Sequence, residues 1–352
     1  MNSKKVEEFA DRVLADINAG MSTLNLYIGH RLGLFNVLDS KGAVTAEDLA
    51  SITGYDERYL REWISVMATG DYLDRDDETG KFSIPEEHAA VLCDINNPAY
   101  YGAFVYWLPS LSSILQDLIE AFKNGGGVPY DKYGSAALEA IGMGNRPMFI
   151  NDYVEKWISA IPDVEKRLMK GGRVLDIGCG TGWSSIALAK GFPEVRIDAI
   201  DNHGGSIEKA RKIAIEEGVS KQIDFHVASA EEFGISSKYD LVTAFECIHD
   251  MPYPVEALKH MHDCVRPDGC VLIADEAVGD TLEENHNFIG NLMYNFSVLH
   301  CLPQSMTVPN SAETGTVMGP ATLRKYADQA GFSDMKILPI ENPVWRFYRL
   351  YK

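Results

Sequence analysis

The sequence predicts an α/β chain in which a mostly parallel sheet, closed by a late antiparallel hairpin, follows an all-α region carrying a small β wing. Three observations predict it. From residue 172 onward, short apolar runs alternate with helical patterns at the spacing of strands and crossover helices. The first of these runs, Val174-Leu175-Asp176-Ile177, passes through Gly178-Cys179-Gly180-Thr181-Gly182 into an apolar-periodic stretch from Ser185 to Lys190. A buried strand thus ends in a carboxylate and turns through three glycines into a helix whose N-terminus faces a ligand. Before residue 94, helices with capping signals precede two short β runs split by a polar turn.

Composition narrows function before any motif does. The chain has 352 residues and a formal net charge of -19, enough length for about two domains. Binding a phosphate backbone or an anionic membrane surface draws on clustered Lys and Arg, so the acidic balance argues against both. No run approaches about 18 apolar residues, and Met1 to Asp16 is a charged helical pattern without an apolar signal core, so a cytoplasmic protein is expected. The cysteines (Cys93, Cys179, Cys247, Cys264, Cys270, Cys301) form no C-x-x-C pair and read as reduced thiols, with Cys179 and Cys247 as small apolar fillers.

Taken in order, residues 1 to 40 read as two helices, the second carrying Leu24, Ile28, Leu32 and Phe35 on one stripe interrupted by Gly33. Thr45-Ala46-Glu47-Asp48 is a capping-box start to a short helix ending at Gly54. Asp56 then caps a longer helix with apolar positions Tyr59, Leu60, Trp63, Ile64 and Met67. Tyr72-Leu73 and Phe82-Ser83-Ile84 flank the turn Asp74 to Gly80 as a hairpin. Helices followed by a hairpin form a winged-helix arrangement. DNA binding is disfavoured because the would-be recognition helix has only Arg58 and Arg61 as cations, and the wing carries Asp74, Asp76, Asp77 and Glu78.

Residues 95 to 170 read as a helical linker with aromatic and glycine interruptions, among them Tyr100, Trp107, Asn124-Gly125-Gly126-Gly127 and Tyr130 to Tyr133. Some of these aromatics are expected to line a pocket as a roof over the substrate. A helix with an early proline is expected to begin at Asn145-Arg146-Pro147. The chain therefore divides into 1–94, 95–170 and 171–352, the last with an insertion at 279–320.

The remaining strands are expected at Arg196 to Asp201, Ile223 to Ala228, Tyr239 to Phe245 and Cys270 to Ala274, with a terminal pair at Phe332 to Ile340 and Val344 to Tyr351. Asp201 ends the second strand, where an acid about 20 positions past a glycine turn accepts from ribose hydroxyls. The competing role for Asp201 is to cap the helix after it. A dinucleotide fingerprint, G-x-G-x-x-G/A, needs a small residue three positions after Gly180, and Trp183 stands there. The fourth strand delivers Glu246-Cys247-Ile248-His249-Asp250 to the carboxyl edge of the sheet, where an imidazole titrating near neutrality can serve as a base.

Asp176-x-Gly178-x-Gly180-x-Gly182 after a strand resembles the first motif of class I S-adenosylmethionine-dependent methyltransferases. The run from His249-Asp250 through Arg266-Pro267-Asp268-Gly269 to Val271-Leu272-Ile273-Ala274-Asp275 is similar to the winged-helix small-molecule O-methyltransferases. The resemblance covers the C-terminal half. It implies a Rossmann-like catalytic domain, an N-terminal dimerisation domain and S-adenosylmethionine as methyl donor. It assigns Asp176, Gly178, Gly180 and Gly182 to the methionine end, Asp201 and Asn202 to the ribose, Ser229 and Ala230 to the adenine, and Glu246 to the rim near the sulfonium. Ser229 stands where an acid is usual in this class. His249 with Asp250 would be the base toward a hydroxyl of a small-molecule acceptor.

Two other functions are carried as alternatives. His249 and His300, with Asn295 or Glu276 adding oxygen ligands, resemble the two-histidine iron or zinc site of 2-oxo-acid C-methyltransferases, where the metal polarises the keto group. A transcriptional regulator that senses S-adenosylmethionine is the alternative from another class.

Overall fold

The computed structural model describes residues 1–233 and 238–352. The chain folds as two units, Met1–Ser112 with Ser135–Pro147 and Ser113–Gly134 with Met148–Lys352. The segment 95–170 is thus shared between them.

The first unit is α1 (Ser3–Arg31), α2 (Leu34–Lys41), α3 (Ala46–Thr53), α4 (Glu57–Thr69), a hairpin of β1 (Asp74–Arg75) and β2 (Phe82–Ser83), then α5 (Glu86–Leu92). The caps form as the sequence predicts. Thr45 and Asp48 close a reciprocal capping box on α3, and the Asp56 carboxylate accepts from the amides of Arg58 and Tyr59 at the start of α4. Leu34, Phe35, Leu38, Leu49, Leu60, Trp63, Ile64 and Met67 make the core.

Two details differ from expectation. A single helix runs from Ser3 to Arg31, and the break falls at Gly33, whose φ of 68° suits a residue without Cβ. The expected stripe is therefore divided: Phe35 is buried on α2, while Leu24, Ile28 and Leu32 remain 42%, 44% and 40% exposed. Of the apolar positions on α4, Tyr59 is 79% exposed and lies outside the core.

The second unit carries a seven-stranded sheet in the order β5-β4-β3-β6-β7-β9-β8. The strands are β3 (Arg173–Ile177), β4 (Arg196–Asp201), β5 (Ile223–Val227), β6 (Tyr239–Phe245), β7 (Val265–Glu276), β8 (Asp334–Ile337) and β9 (Trp345–Tyr351). Pairing is parallel from β5 to β7, and β9 runs antiparallel to both β7 and β8. The strands read as near-continuous apolar runs because helices cover both faces. One face packs Trp157, Ile186, Leu188, Phe245 and Phe347; the other packs Leu175, Tyr239, Val242, Leu258, Met261 and Tyr348.

The helix expected to begin at Asn145 instead spans Gly134–Met148, with Pro147 near its end. Ala136, Ala137, Leu138 and Ala140 are strong helix formers and carry it from the start. A π-helical stretch, Phe149–Ile158, follows at once, a wider turn of the kind found where proline interrupts the hydrogen-bond ladder. Among the described residues no helix is long and apolar enough to cross a membrane.

Candidate active site

β3 pairs with β4 on one side and β6 on the other. The crevice beyond its carboxyl end is therefore the switch point at which open α/β sheets bind ligands. The glycine turn stands in this crevice. Gly178, Gly180 and Gly182 have φ of 66°, 52° and 85°, the left-handed region that side chains disfavour. A Cβ on Gly178 would also lie 2.8 Å from Cys247, so the small filler predicted there packs directly against the turn. A Cβ on Gly180 would meet nothing within 4 Å, which leaves open space above that peptide.

Asp176 has a different immediate duty from the one expected. Its Oδ2 accepts from the Ser184 and Ser185 hydroxyls at 2.6 Å each, and its Oδ1 accepts from Thr243 at 2.8 Å. Burial pushes this carboxyl up, and the three hydroxyl donors oppose that shift. The side chain is 3% exposed and ties the turn to the next helix and to β6. It braces the turn from beneath.

Asp201 ends β4. Its Oδ2 accepts from the Gly180 amide at 3.0 Å and its Oδ1 from the His203 amide at 2.8 Å. Burial raises its pKa, and the two amide donors counter the rise. The helix Gly204–Glu216 is capped by His203, whose Nδ1 accepts from the Ser206 amide at 3.1 Å, so Asp201 is not the cap. Beside it opens a cavity of about 420 Å³ lined by Tyr130, Asp131, Asn202, His203, Gly204 and Gly205. Ser229 and Ala230 follow β5 at the same edge, half-buried.

The end of β6 carries a buried histidine between two carboxylates. His249 is 2% exposed, with Nδ1 2.6 Å from Asp275 Oδ1 and Nε2 3.3 Å from Asp250 Oδ1. Burial pulls its pKa down, but the Asp275 and Asp250 carboxylates and the hydrogen bonds to Asp275 and Cys301 outweigh that, holding it well above 6.5. Asp275 and Glu276 are the last residues of β7. Burial and the facing Glu246 carboxylate hold Glu276 well above the carboxylate range. Glu246 itself has φ of 50°, a strained conformation for a residue with Cβ and one that gathers at functional sites.

Comparison with known proteins shows the family. Residues 168–323 match the family described as "Methyltransferase domain", and residues 20–94 match the "Rv2258c-like winged HTH domain". A ubiquinone biosynthesis O-methyltransferase of Aromatoleum aromaticum is 31% identical over 52% of this chain and 73% of its own length. The chain belongs to the S-adenosylmethionine-dependent methyltransferases.

A second relative of the same name, from Pseudomonas aeruginosa, is 26% identical over 57% of this chain and 80% of its own length. The folds of whole solved structures agree as well. A putative O-methyltransferase from Nostoc punctiforme superposes with a TM-score of 0.72 at 20% identity, covering 97% of this chain and 98% of its own. Human N-acetylserotonin methyltransferase, solved with S-adenosylmethionine, gives 0.68 at 18% identity over 97% of each chain. This chain is therefore an enzyme, a methyltransferase with S-adenosylmethionine as donor and an N-terminal winged-helix region. The crevice fits that donor: open space stands over Gly180, and a carboxylate spans the turn and the next loop.

The methyltransferase does not assemble the two-histidine metal set. His300 turns both ring nitrogens toward the Gln304 amide nitrogen, at 2.8 Å and 3.1 Å. Burial and the neighbouring His249 push its pKa down to about 4, against the pull of Asp250. Asn295 is exposed, with its amide on the Asn291 carbonyl, and burial with the facing Glu246 raises the pKa of Glu276. Among the described residues, the ligand atoms that do gather within 4.8 Å belong to His249, Asp250 and Cys301. These donors include one histidine and are not a two-histidine set.

Several residues of the site carry no local signal. Asp275 could have been found from its place at the carboxyl end of the strand after β6. Tyr130, His203 and Cys301 arrive from distant segments: Tyr133 donates to the Leu299 carbonyl at 3.0 Å, Val128 to the Pro303 carbonyl at 2.9 Å, and Tyr130 meets His203 edge-on at 4.9 Å.

Proposed function

We propose that this methyltransferase moves a methyl group to a hydroxyl of a small acceptor, with His249 as general base and Asp275 as the carboxylate that orients it. The observation that carries the reading is the buried 2.6 Å contact from His249 Nδ1 to Asp275 Oδ1 at the sheet edge that also holds the glycine turn. S-adenosylmethionine, when bound, supplies an electrophilic methyl carbon and its own thioether leaving group. Asp275 accepts the hydrogen bond from Nδ1–H and fixes the tautomer, so that above the raised pKa of the ring Nε2 is the bare nitrogen, able to take a proton from the acceptor hydroxyl. The imidazolium that results is stabilised by Asp275 and Asp250. Asp250 and His300 flank this position.

On the donor side, Gly178, Gly180 and Gly182 line the methionine end, braced by Asp176 below. Asp201 and Asn202 take the ribose, Ser229 and Ala230 the adenine, and Glu246 stands near the sulfonium. The name shared by the Aromatoleum and Pseudomonas relatives supports transfer to oxygen.

Calorimetry with S-adenosylhomocysteine tests the assignment. Asp201→Ala is expected to weaken binding at least tenfold while His249→Ala leaves it within twofold. With labelled S-adenosylmethionine and a panel of catechols and phenols, His249→Ala is expected to lose about a hundredfold or more of transfer. The reverse pattern refutes the roles.

We also infer a homodimer formed through α1. Val6, Phe9, Val13, Ile17, Leu24 and Ile28 recur on one side of this 29-residue helix, and each is 40% or more exposed. The stripe runs about 33 Å at 1.5 Å per residue, a length and width suited to a second copy of the same helix. Sedimentation should give a dimer for the native chain and a monomer for the Phe9→Glu, Ile17→Glu double variant.

A further inference from the structure

Three buried carboxylate oxygens at the acceptor edge lack a well-formed hydrogen bond from any described residue: Asp275 Oδ2, Glu276 Oε2 and Asp250 Oδ1, the last with only the 3.3 Å ion-pair contact of His249 Nε2. Asp275 is 0% exposed and Glu276 4%. An acceptor oxygen buried without a donor is costly, so each calls for a hydrogen-bond donor or a cation from a ligand.

Aromatic rings stand beside the same place. Tyr133 and His300 meet edge-on at 4.7 Å, and Tyr130 meets His300 at 6.0 Å. Tyr130 and Tyr133 both feel the Asp250 charge. His300, pushed down to about 4, presents a neutral ring at neutral pH. Ring faces next to a carboxylate are the chemistry that holds an ammonium group.

The local charge points the same way. Four acids, Asp250, Asp275, Glu246 and Glu276, gather around one basic side chain, His249. A carboxylate-bearing acceptor would enter against that field and find the only cation of this group already held by Asp275.

We propose that the acceptor carries a cationic nitrogen, an amine or a quaternary ammonium, seated between Asp250 and the Tyr130, Tyr133 and His300 rings. The inference rests on the reading of this edge as the acceptor site and names the class of molecule it takes. It concerns recognition and leaves the identity of the methylated atom to the chemistry of His249.

Matched phenols test it on the native full-length protein saturated with S-adenosylhomocysteine, so that the donor's own amine cannot account for the result. Tyramine, 4-ethylphenol and 4-hydroxyphenylacetate have similar size and carry positive, zero and negative charge. By calorimetry, tyramine is expected to bind at least tenfold more tightly than 4-hydroxyphenylacetate, with 4-ethylphenol between them. Asp250→Asn should shrink the difference to less than threefold, with S-adenosylhomocysteine affinity retained as evidence of folding. Equal affinities, a preference for the carboxylate, or no binding of tyramine would each overturn the proposal. The base assignment fails differently: methyl transfer at the native rate by His249→Ala removes the role of His249 and leaves the charge preference in place.

Discussion

Replacing Asp275 by Asn probes the contact on which the proposed chemistry rests. The change keeps size and shape and removes one charge from a site that is 0% exposed. A hydrogen bond to a charged group contributes about 1.5–3 kcal/mol, which at 1.36 kcal/mol per tenfold is a loss of roughly 10- to 150-fold. The tautomer adds to this. An Asn amide can donate to Nδ1, which moves the ring proton to Nε2, the atom required to accept from the substrate; a general base contributes about 10² to 10⁴. The plateau of kcat/KM is therefore expected to fall by about a hundredfold or more.

The pH profile gives an independent sign. Asp275 is the larger of the two carboxylate charges that hold the His249 pKa well above 6.5. Native activity, which needs the neutral ring, is lost as pH falls through that raised value. In Asp275→Asn one of those charges is gone, so the limb moves to lower pH even as the plateau drops. Initial rates from pH 5 to 10 on an accepted phenol, with S-adenosylhomocysteine affinity as control, read both effects. A plateau within about threefold of native, or a limb that does not move, would refute the orienting role.

Other parts of the chain give further expectations. Gly178→Ala forces a Cβ into a φ of 66° and to within 2.8 Å of Cys247; the backbone strain alone costs roughly 1–2 kcal/mol, so the melting temperature should fall by several degrees, and an unchanged value would show that the turn relaxes freely. Ser184→Ala with Ser185→Ala removes two of the three hydroxyls on Asp176, and urea unfolding is expected to register a loss of about 3 kcal/mol or more; no loss would mean that Asp176 is not a brace. Burial holds His30 at about 4 and, with His249, His300 at about 4, both below the unfolded 6.5. The unfolded chain therefore binds more protons across that window, and this stability is present above pH 6.5 and lost as pH falls toward 4. Calorimetric melts should show the decline, with a shallower slope in His30→Gln; an unaltered slope would remove His30 from the linkage.

The sheet and the glycine turn were legible because their causes are local. Strands covered on both faces must read as apolar runs, and a backbone at φ near 52° to 85° must use glycine. His249 was legible by position, since a polar residue just past a buried strand has the carboxyl edge as its only outlet. The partner choices were not legible. Which way Asp176 turns depends on hydroxyls eight and nine residues later and on Thr243, 67 residues away. The break between the first two helices was misjudged because exposed apolar residues on α1 imitate a core stripe, and periodicity does not distinguish a face turned to the core from a face turned elsewhere. Cys301 and Tyr130 reach the site through tertiary contacts that no spacing encodes.

The acids of the crevice show how one residue type acquires separate duties from its neighbours. Asp176 is occupied by three hydroxyls and holds the turn in place. Asp201 takes two backbone amides and joins the turn to the next loop. Asp275 spends one oxygen on His249 and keeps the other without a donor among the described residues, while the facing Glu246 and burial raise the pKa of Glu276. A carboxylate whose partners all come from the protein supports structure, and one left with an unmatched buried oxygen is matched by what binds. By that criterion Asp176 and Asp201 hold the turn, and Asp250, Asp275 and Glu276 belong to the proposed acceptor side. Swapping the criterion's inputs should swap the duty: Thr243→Val, which withdraws a hydroxyl from Asp176 beneath the turn, is expected to weaken S-adenosylhomocysteine binding and to leave the preference among charged phenols unchanged. A change in that preference would show that the two sides are not separable.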